Sequence, residues 1–292
     1  MSQFIHMLQS FVWGPGMLFF FLATGIRFTI KSGFFQLTGI RIWLGNTLGV
    51  LFQKQEVRKT GEAHAMSQFQ SFCTALAATL GTGNITGVAT ALVFGGPGAI
   101  FWMWVSAFFG MMTNYAENYL GIKYRYRDEQ GRWIGGAMVY MERGLGCKPL
   151  AVAFALCCLG ASLGMGNMVQ GNAMAKGLEH AFQVPPFVSG VLCTIGVAVV
   201  VTGGMKRIAG LTEKLVPFMA VLYLGGAIGV LFVFRKEIPG AFALIFSEAF
   251  GLRQAAGGVA GYGVGEAIRM GIARGIFSNE AGLGTGSIAH AC

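Results

Sequence analysis

The chain has 292 residues, 54% of them hydrophobic and 11% charged, with a mean hydropathy of +0.61. Soluble domains carry about 25% charged residues, so the composition excludes an ordinary water-soluble globule and points to a polytopic, all-α membrane protein. The formal charge of +9 does not mark a nucleic-acid partner, because Lys and Arg fall mainly in alternate loops between apolar runs, as the positive-inside rule describes.

Seven candidate spans follow in chain order: Phe11–Ile30, Ser71–Phe94, Ile100–Ile122, Ala151–Asn172, Phe187–Thr202, Leu215–Phe234 and Tyr262–Ala291. With Met1 outside, the inner loops are residues 31–70 (with Arg27 at their border), 123–150 and 203–214, and they hold 15 of the 21 Lys and Arg. The run Phe34–Phe52 is apolar and 19 residues long. As a span it would flip everything after it and weaken the charge bias, so an interfacial helix is expected on the inner face, anchored by Arg41 and Trp43. Ala241–Leu252 reads the same way on the outer face, with Glu248 and Arg253 on its polar side. No secretory signal is expected, since Met1–Gln9 lacks a basic region and no cleavage site follows. The six cysteines include no C-x-x-C pair and are expected to be small core residues rather than disulfides or zinc ligands.

The second span contains Gly81-Thr82-Gly83-Asn84, which a continuous membrane helix should avoid. Each glycine weakens a helix by about 1 kcal/mol relative to alanine. From Ser71 to Gly81 a helix rises about 15 Å, half of a ~30 Å hydrocarbon core, so a break is expected near mid-membrane. Unwound backbone there is tolerated only beside protein or a water-filled cavity, and secondary transporters build substrate and ion sites from such breaks. Close packing against a neighbouring helix is the other reading of the two glycines.

Gly95-Gly96-Pro97-Gly98 should turn the second span into the third as an antiparallel hairpin. Phe101-Trp102-Met103-Trp104 reads as an aromatic belt without chemistry. Near the end, Leu283-Gly284-Thr285-Gly286-Ser287-Ile288 repeats Leu80-Gly81-Thr82-Gly83-Asn84-Ile85 with one substitution, 203 residues later. The expected topology runs the two copies in opposite directions, the mark of an inverted repeat. Three segments follow: 1–70, a peripheral first helix and the inner interfacial helix; 71–235, a first five-helix repeat; 236–292, the outer interfacial helix and the first helix of a second repeat. Completing that repeat needs four further spans, so a fragment of a longer protein is expected.

Half-helix N-termini suit a carboxylate, and freed carbonyls suit a hard cation. Thr82 and Gly83 are placed to offer N–H groups, Ala77 and Leu80 carbonyls, and Asn84 its amide oxygen. In the fourth span Asn167 and Gln170 share a helix face while Asn172 points elsewhere. Gln170 is the preferred substrate ligand, with interhelical hydrogen bonding the other reading of the two asparagines. Glu280 either binds the cation or a substrate ammonium, or pairs with Arg274. Glu117, with Lys123 and Arg125 about two turns on, is assigned a structural role near the inner surface. Asn84-Ile85-Thr86 matches a glycosylation acceptor only formally, and glycine-rich Gly257–Gly265 lacks the lysine of a phosphate loop.

Together, Gly95-Gly-Pro-Gly-Ala-Ile-Phe-Trp-Met-Trp-Val-Ser-Ala-Phe-Phe-Gly110, Thr79-Leu-Gly-Thr-Gly-Asn-Ile85 and Arg274-Gly-Ile-Phe-Ser-Asn-Glu-Ala-Gly-Leu-Gly-Thr-Gly-Ser287 resemble the alanine/glycine:cation symporter family, over essentially the whole chain. The resemblance implies a LeuT-type inverted-repeat fold on a first peripheral helix and Na⁺-driven uptake of alanine or glycine across the cytoplasmic membrane. Thr82 and Gly83 would hold the substrate carboxylate, with Gln170, Phe277, Ser278, Asn279 and Gly282 at the substrate. Ala77 and Leu80 carbonyls, Asn84 and Glu280 would serve the sodium ion. No organic cofactor is expected; the partners are a small neutral amino acid, Na⁺ and membrane lipid. A proton-coupled transporter using Glu280, or a channel or receptor, are the alternatives. An enzyme is the least supported, because no metal cluster or nucleophile–base pair appears.

Overall fold

An apolar segment in lipid must satisfy its backbone internally, which a helix does, and the regular structure here is almost all helical. The computed structural model describes residues 3, 7, 10–49, 67–251 and 260–291. Met1, the loop cations Lys54, Arg58 and Lys59, residues 50–52 of the expected inner interfacial helix, Leu252 and Arg253 of the outer one, residues 257–259 of the glycine-rich stretch, and Cys292 lie outside them.

Helix α1, Pro15–Lys31, opens on a proline where the missing N–H loses no helical bond and closes on a lysine suited to the negative end. Phe34 then takes a left-handed conformation at φ 57°. The expected interfacial helix is instead short pieces, Phe35–Thr38, Ile40–Leu44 and a π turn Gly45–Gly49. They fold back on α1: buried Gln36 donates to Thr29 Oγ1 at 3.0 Å, and Trp43 Nε1 donates to the Gln36 carbonyl at 3.3 Å.

Helix α2, Gln68–Thr79, starts from a capping box. Ser67 Oγ accepts the Gln70 N–H at 3.1 Å and Gln70 Oε1 accepts the Ser67 N–H at 3.2 Å. The helix stops at Leu80, a single 3-10 turn covers Thr82–Asn84, and α3 resumes at Thr86–Gly95. Gly96, at φ 68°, makes the turn into α4, Gly98–Lys123. The Phe101 and Trp104 rings pack on Phe242, Phe246 and Phe250, and Trp102 Nε1 donates to the Ala249 carbonyl at 3.2 Å. These aromatics are thus packing residues beyond the belt role expected of them.

The stretch after α4, taken as plain loop, holds a two-stranded antiparallel hairpin, β1 Tyr126–Arg127 and β2 Trp133–Ile134, then helix α5, Ala137–Arg143. Arg125 and Arg127 flank the Trp133 ring at 4.1 and 4.6 Å, and Arg143 covers Tyr126 at 3.6 Å. At the hairpin turn, Asp128 accepts the backbone N–H groups of Arg132 at 2.8 Å and Gln130 at 3.0 Å, and Arg132 Nε at 2.8 Å. The Arg132 backbone bond is the main reason its carboxyl ionises below the usual range. A depressed acid stabilises above its unfolded value and loses that as pH falls through the folded one. Trp133 fluorescence should therefore stay constant from neutral pH down past about 3.9, the ordinary aspartate value, and change only below it.

Helix α6, Lys148–Ala161, passes through a π turn, Ser162–Gly166, into α7, Met168–Phe182. This helical run continues ten residues beyond the expected end at Asn172. Helix α8 is Pro186–Val201 and α9 is Gly204–Val233. Residues 204–214, nearly all of the expected inner loop 203–214, are the charged first turns of α9. Helix α10, Ile238–Ala249, is followed by α11, Ala260–Asn279, a break at 280–284, and α12, Thr285–Ala291. Among the described residues three helical runs, Ser10–Lys31, Lys148–Phe182 and Gly204–Val233, are long and apolar enough to cross a membrane, or four with the broken pair α2–α3 counted as one. The other expected spans are helical but shorter or less apolar. Of the described cysteines Cys73 is buried, whereas Cys157 is exposed rather than a core residue.

The chain divides into two compact units. One comprises Met1–Gly49, Gly83–Glu117 and Val221–Gly284. Its core is Leu18, Ile272 and Ile276, with Phe21 and Trp102 packed against them. Close approach there depends on glycine: a Cβ on Gly271 would lie 2.5 Å from the Ala99 carbonyl oxygen. The other comprises Val50–Thr82, Asn118–Ala220 and Thr285–Cys292. In it Gln70 Nε2 donates to Glu213 at 3.0 Å, the Thr74 and Thr212 hydroxyls meet at 3.1 Å, and Ser71 Oγ lies 3.1 Å from His290 Nδ1.

Candidate functional site

A helix that stops leaves carbonyls at one end and N–H groups at the next start without helical partners. Two such interruptions among the described residues, at 80–85 and 280–284, concern the expected site. At the first, the Leu80 N–H still bonds the Leu76 carbonyl at 2.7 Å, but its ψ of 70° carries the chain out of the helix. Ala77 lies in the last turn of α2 and Leu80 at its cap, so both carbonyls belong to the freed end. Thr82, Gly83 and Asn84 form the 3-10 turn beyond it.

In the unit that holds α2 and α7, the Gln170 side chain reaches this break. Its Oε1 accepts the Thr82 hydroxyl at 2.7 Å and the Thr82 N–H at 3.3 Å. Gly81 makes room for the amide: a Cβ there would lie 3.1 Å from Gln170 Nε2. Asn167 and Asn172 are both exposed, whereas Gln170 is half-buried.

In the unit that holds α3 and α11, a Cβ on Gly83 would lie 3.3 Å from the Phe277 ring. The Ser278 hydroxyl donates to Asn84 Oδ1. The Arg274 guanidinium lies 5.9 Å from the centre of the Phe277 ring. Asn279 closes α11, and the second break turns through left-handed backbone at Glu280, Gly282 and Gly284 (φ 53°, 82° and 77°). Gly282 sits against the Phe21 ring, 2.9 Å from where a Cβ would stand, so glycine is required there twice over.

Glu117 comes from α4 to the second break. It is only 6% exposed, and its Oε2 accepts the Gly284 N–H at 3.2 Å while Oε1 is also buried. Glu117 is therefore structural, but at the break rather than beside Lys123 and Arg125. The signal was a lone carboxylate inside an apolar span. The internal echo is also out of step with the structure. Leu80 opens the first break, whereas its counterpart Leu283 is the fourth residue of the second, and Thr285, Gly286 and Ser287 already belong to α12.

Helix ends that present peptide oxygens, peptide N–H groups, an amide and hydroxyls can bind a hard cation and a small zwitterion, and interrupted apolar helices of this kind are a transporter's means of doing so. The sodium:alanine symporter family model matches residues 1–292, and the chain belongs to that family. The family is one of membrane transporters, not enzymes, and the chain is that of a multi-pass membrane protein.

Over an alignment of 293 positions that covers 98% of its length, the chain is 47% identical to the sodium/alanine symporter AgcS of Methanococcus maripaludis. Over 291 residues, 99% of its length, it is 44% identical to an uncharacterized transporter of Haemophilus influenzae. Over 286 residues, 98% of its length, it is 38% identical to the putative sodium/proton-dependent alanine carrier protein YrbD of Bacillus subtilis. It spans 62%, 62% and 56% of those three relatives.

Proposed function

We propose that the protein couples Na⁺ entry to uptake of a small neutral amino acid, alanine or glycine, by alternating access across the cytoplasmic membrane, with its N-terminus outside and a LeuT-type inverted-repeat fold. The observation that carries this reading is the interruption of an apolar span at residues 80–85, where the helical hydrogen-bond ladder stops and starts again. The N–H groups of Thr82 and Gly83 take the substrate carboxylate. The carbonyls of Ala77 and Leu80, with the Asn84 amide oxygen, serve Na⁺, a hard cation that prefers oxygen. Phe277, Ser278, Asn279 and Gly282 are the share of α11 and the second break in the substrate site, and Glu280 their share in cation binding. Segments 1–70, 71–235 and 236–292 are then the peripheral helix with its interfacial pieces, the first repeat, and the opening of the second.

Labelled L-alanine should accumulate inside vesicles above its outside concentration when sodium is high outside, and only equilibrate when sodium is equal on both sides. Equilibration in both cases would make the protein a channel. The name of the Bacillus subtilis relative, a putative sodium/proton-dependent alanine carrier, supports one second reading, proton coupling. Accumulation driven by a pH gradient in sodium-free medium would establish it.

A further inference from the structure

Thr82 cannot offer its N–H to an incoming carboxylate while Gln170 holds it. Two donors on one residue, the peptide N–H and the hydroxyl, converge on the single oxygen Gln170 Oε1. The amide lies close over Gly81, where an added Cβ would come within 3.1 Å of its nitrogen. An amide oxygen and a carboxylate oxygen present the same acceptor geometry, but charge-assisted bonds to a carboxylate are roughly twice as strong. The seat is built for an acceptor of this shape, and its present occupant is neutral, tethered and half-buried.

We propose that Gln170 is a displaceable stand-in for the substrate carboxylate: it satisfies the first break when no substrate is bound and swings off when the amino acid arrives. This rests on the amino-acid reading above and reverses the expected sign of Gln170's contribution. The second break differs in kind. Its acceptor, Glu117, is a buried acid on the Gly284 N–H, which an incoming anion has no means to outbid.

A stand-in lowers apparent affinity by the fraction of time that the seat is taken, because only the open fraction binds. Leucine has nearly the volume of glutamine and no acceptor. Equilibrium binding of L-alanine to the purified protein in saturating sodium chloride should thus tighten by about three- to tenfold in Gln170→Leu, for a seat occupied roughly 70–90% of the time. Weaker or unchanged binding overturns the proposal, since a direct ligand would lose affinity. Gln170→Ala should shift in the same direction and guards against a leucine-specific clash. A second measurement needs no substrate. Peptides covering residues 80–85 should exchange amide hydrogen faster in Gln170→Leu than in the unmodified protein, and unchanged exchange overturns the stand-in role. Should the unmodified protein bind no alanine while exchange still accelerates, the amino-acid reading fails and the tethered seat survives.

Discussion

Replacing Glu117 by alanine is expected to lower sodium-driven uptake, per folded protein, by about tenfold or more. The 3.2 Å bond from the Gly284 N–H to buried Glu117 would be lost, and taking one partner from a buried hydrogen bond costs about 1–3 kcal/mol. Each 1.4 kcal/mol is about a factor of ten in an equilibrium, so the equilibrium shifts against the ordered break by about that factor before the lost side-chain volume is counted. Phe277 and Ser278 end the helix leading into that break, and their positions depend on it. Glu117→Gln keeps an acceptor oxygen for Gly284 and should retain most of the uptake. Vesicle uptake normalised to monodisperse protein separates the two variants. Wild-type rates in Glu117→Ala would mean that the break holds without its acid.

Gly271→Ala should be the most damaging single methyl group in the α4–α11 contact. The added Cβ would stand 2.5 Å from the Ala99 carbonyl oxygen and 2.6 Å from Trp102 Cβ. One of these is backbone, which cannot rotate away, so α11 must back off α4 and loosen the Leu18, Ile272 and Ile276 core beside it. Overpacking of this kind typically costs 1–3 kcal/mol, or roughly 2–10 °C in melting temperature for a chain of this size. Gly229→Ala on α9, where nothing lies within 4 Å of the new methyl, is the matched control. It should leave melting unchanged or raise it, since alanine favours helix by about 1 kcal/mol over glycine. Equal melting of the two variants would show that the Ala99–Gly271 approach carries no stability.

What could be read from the residues was what local chemistry decides. Two glycines two positions apart in an apolar run suggested the first break, with close helix packing as the other reading, and the helix does stop there. Gly95 to Gly98 announced the hairpin turn. The partner of the first break was suspected only in outline: Gln170 stood out as an amide within an apolar span, but its bond to Thr82 joins positions 88 residues apart. Charge misled twice. Lys206 to Lys214 looked like loop and is helix, because a helix leaving an apolar span can carry charges on its first turns. Glu117 was drawn toward Lys123 and Arg125 along its own helix, although the group that holds it is a peptide N–H far along the chain. The second break was set by the left-handed residues Glu280, Gly282 and Gly284, three residues ahead of where the repeated motif put it.

The wide turn at Ser162–Gly166 has a consequence for everything after it in α7. A π turn spends one more residue per revolution than its neighbours, and one residue of α-helix is about 100° of rotation. That single surplus residue sets the phase of α7 about its own axis, and with it the compass bearing of Gln170. Shortening the turn by one residue would leave α7 as long and as apolar as before, yet spin its amide by more than a quarter circle away from Gly81.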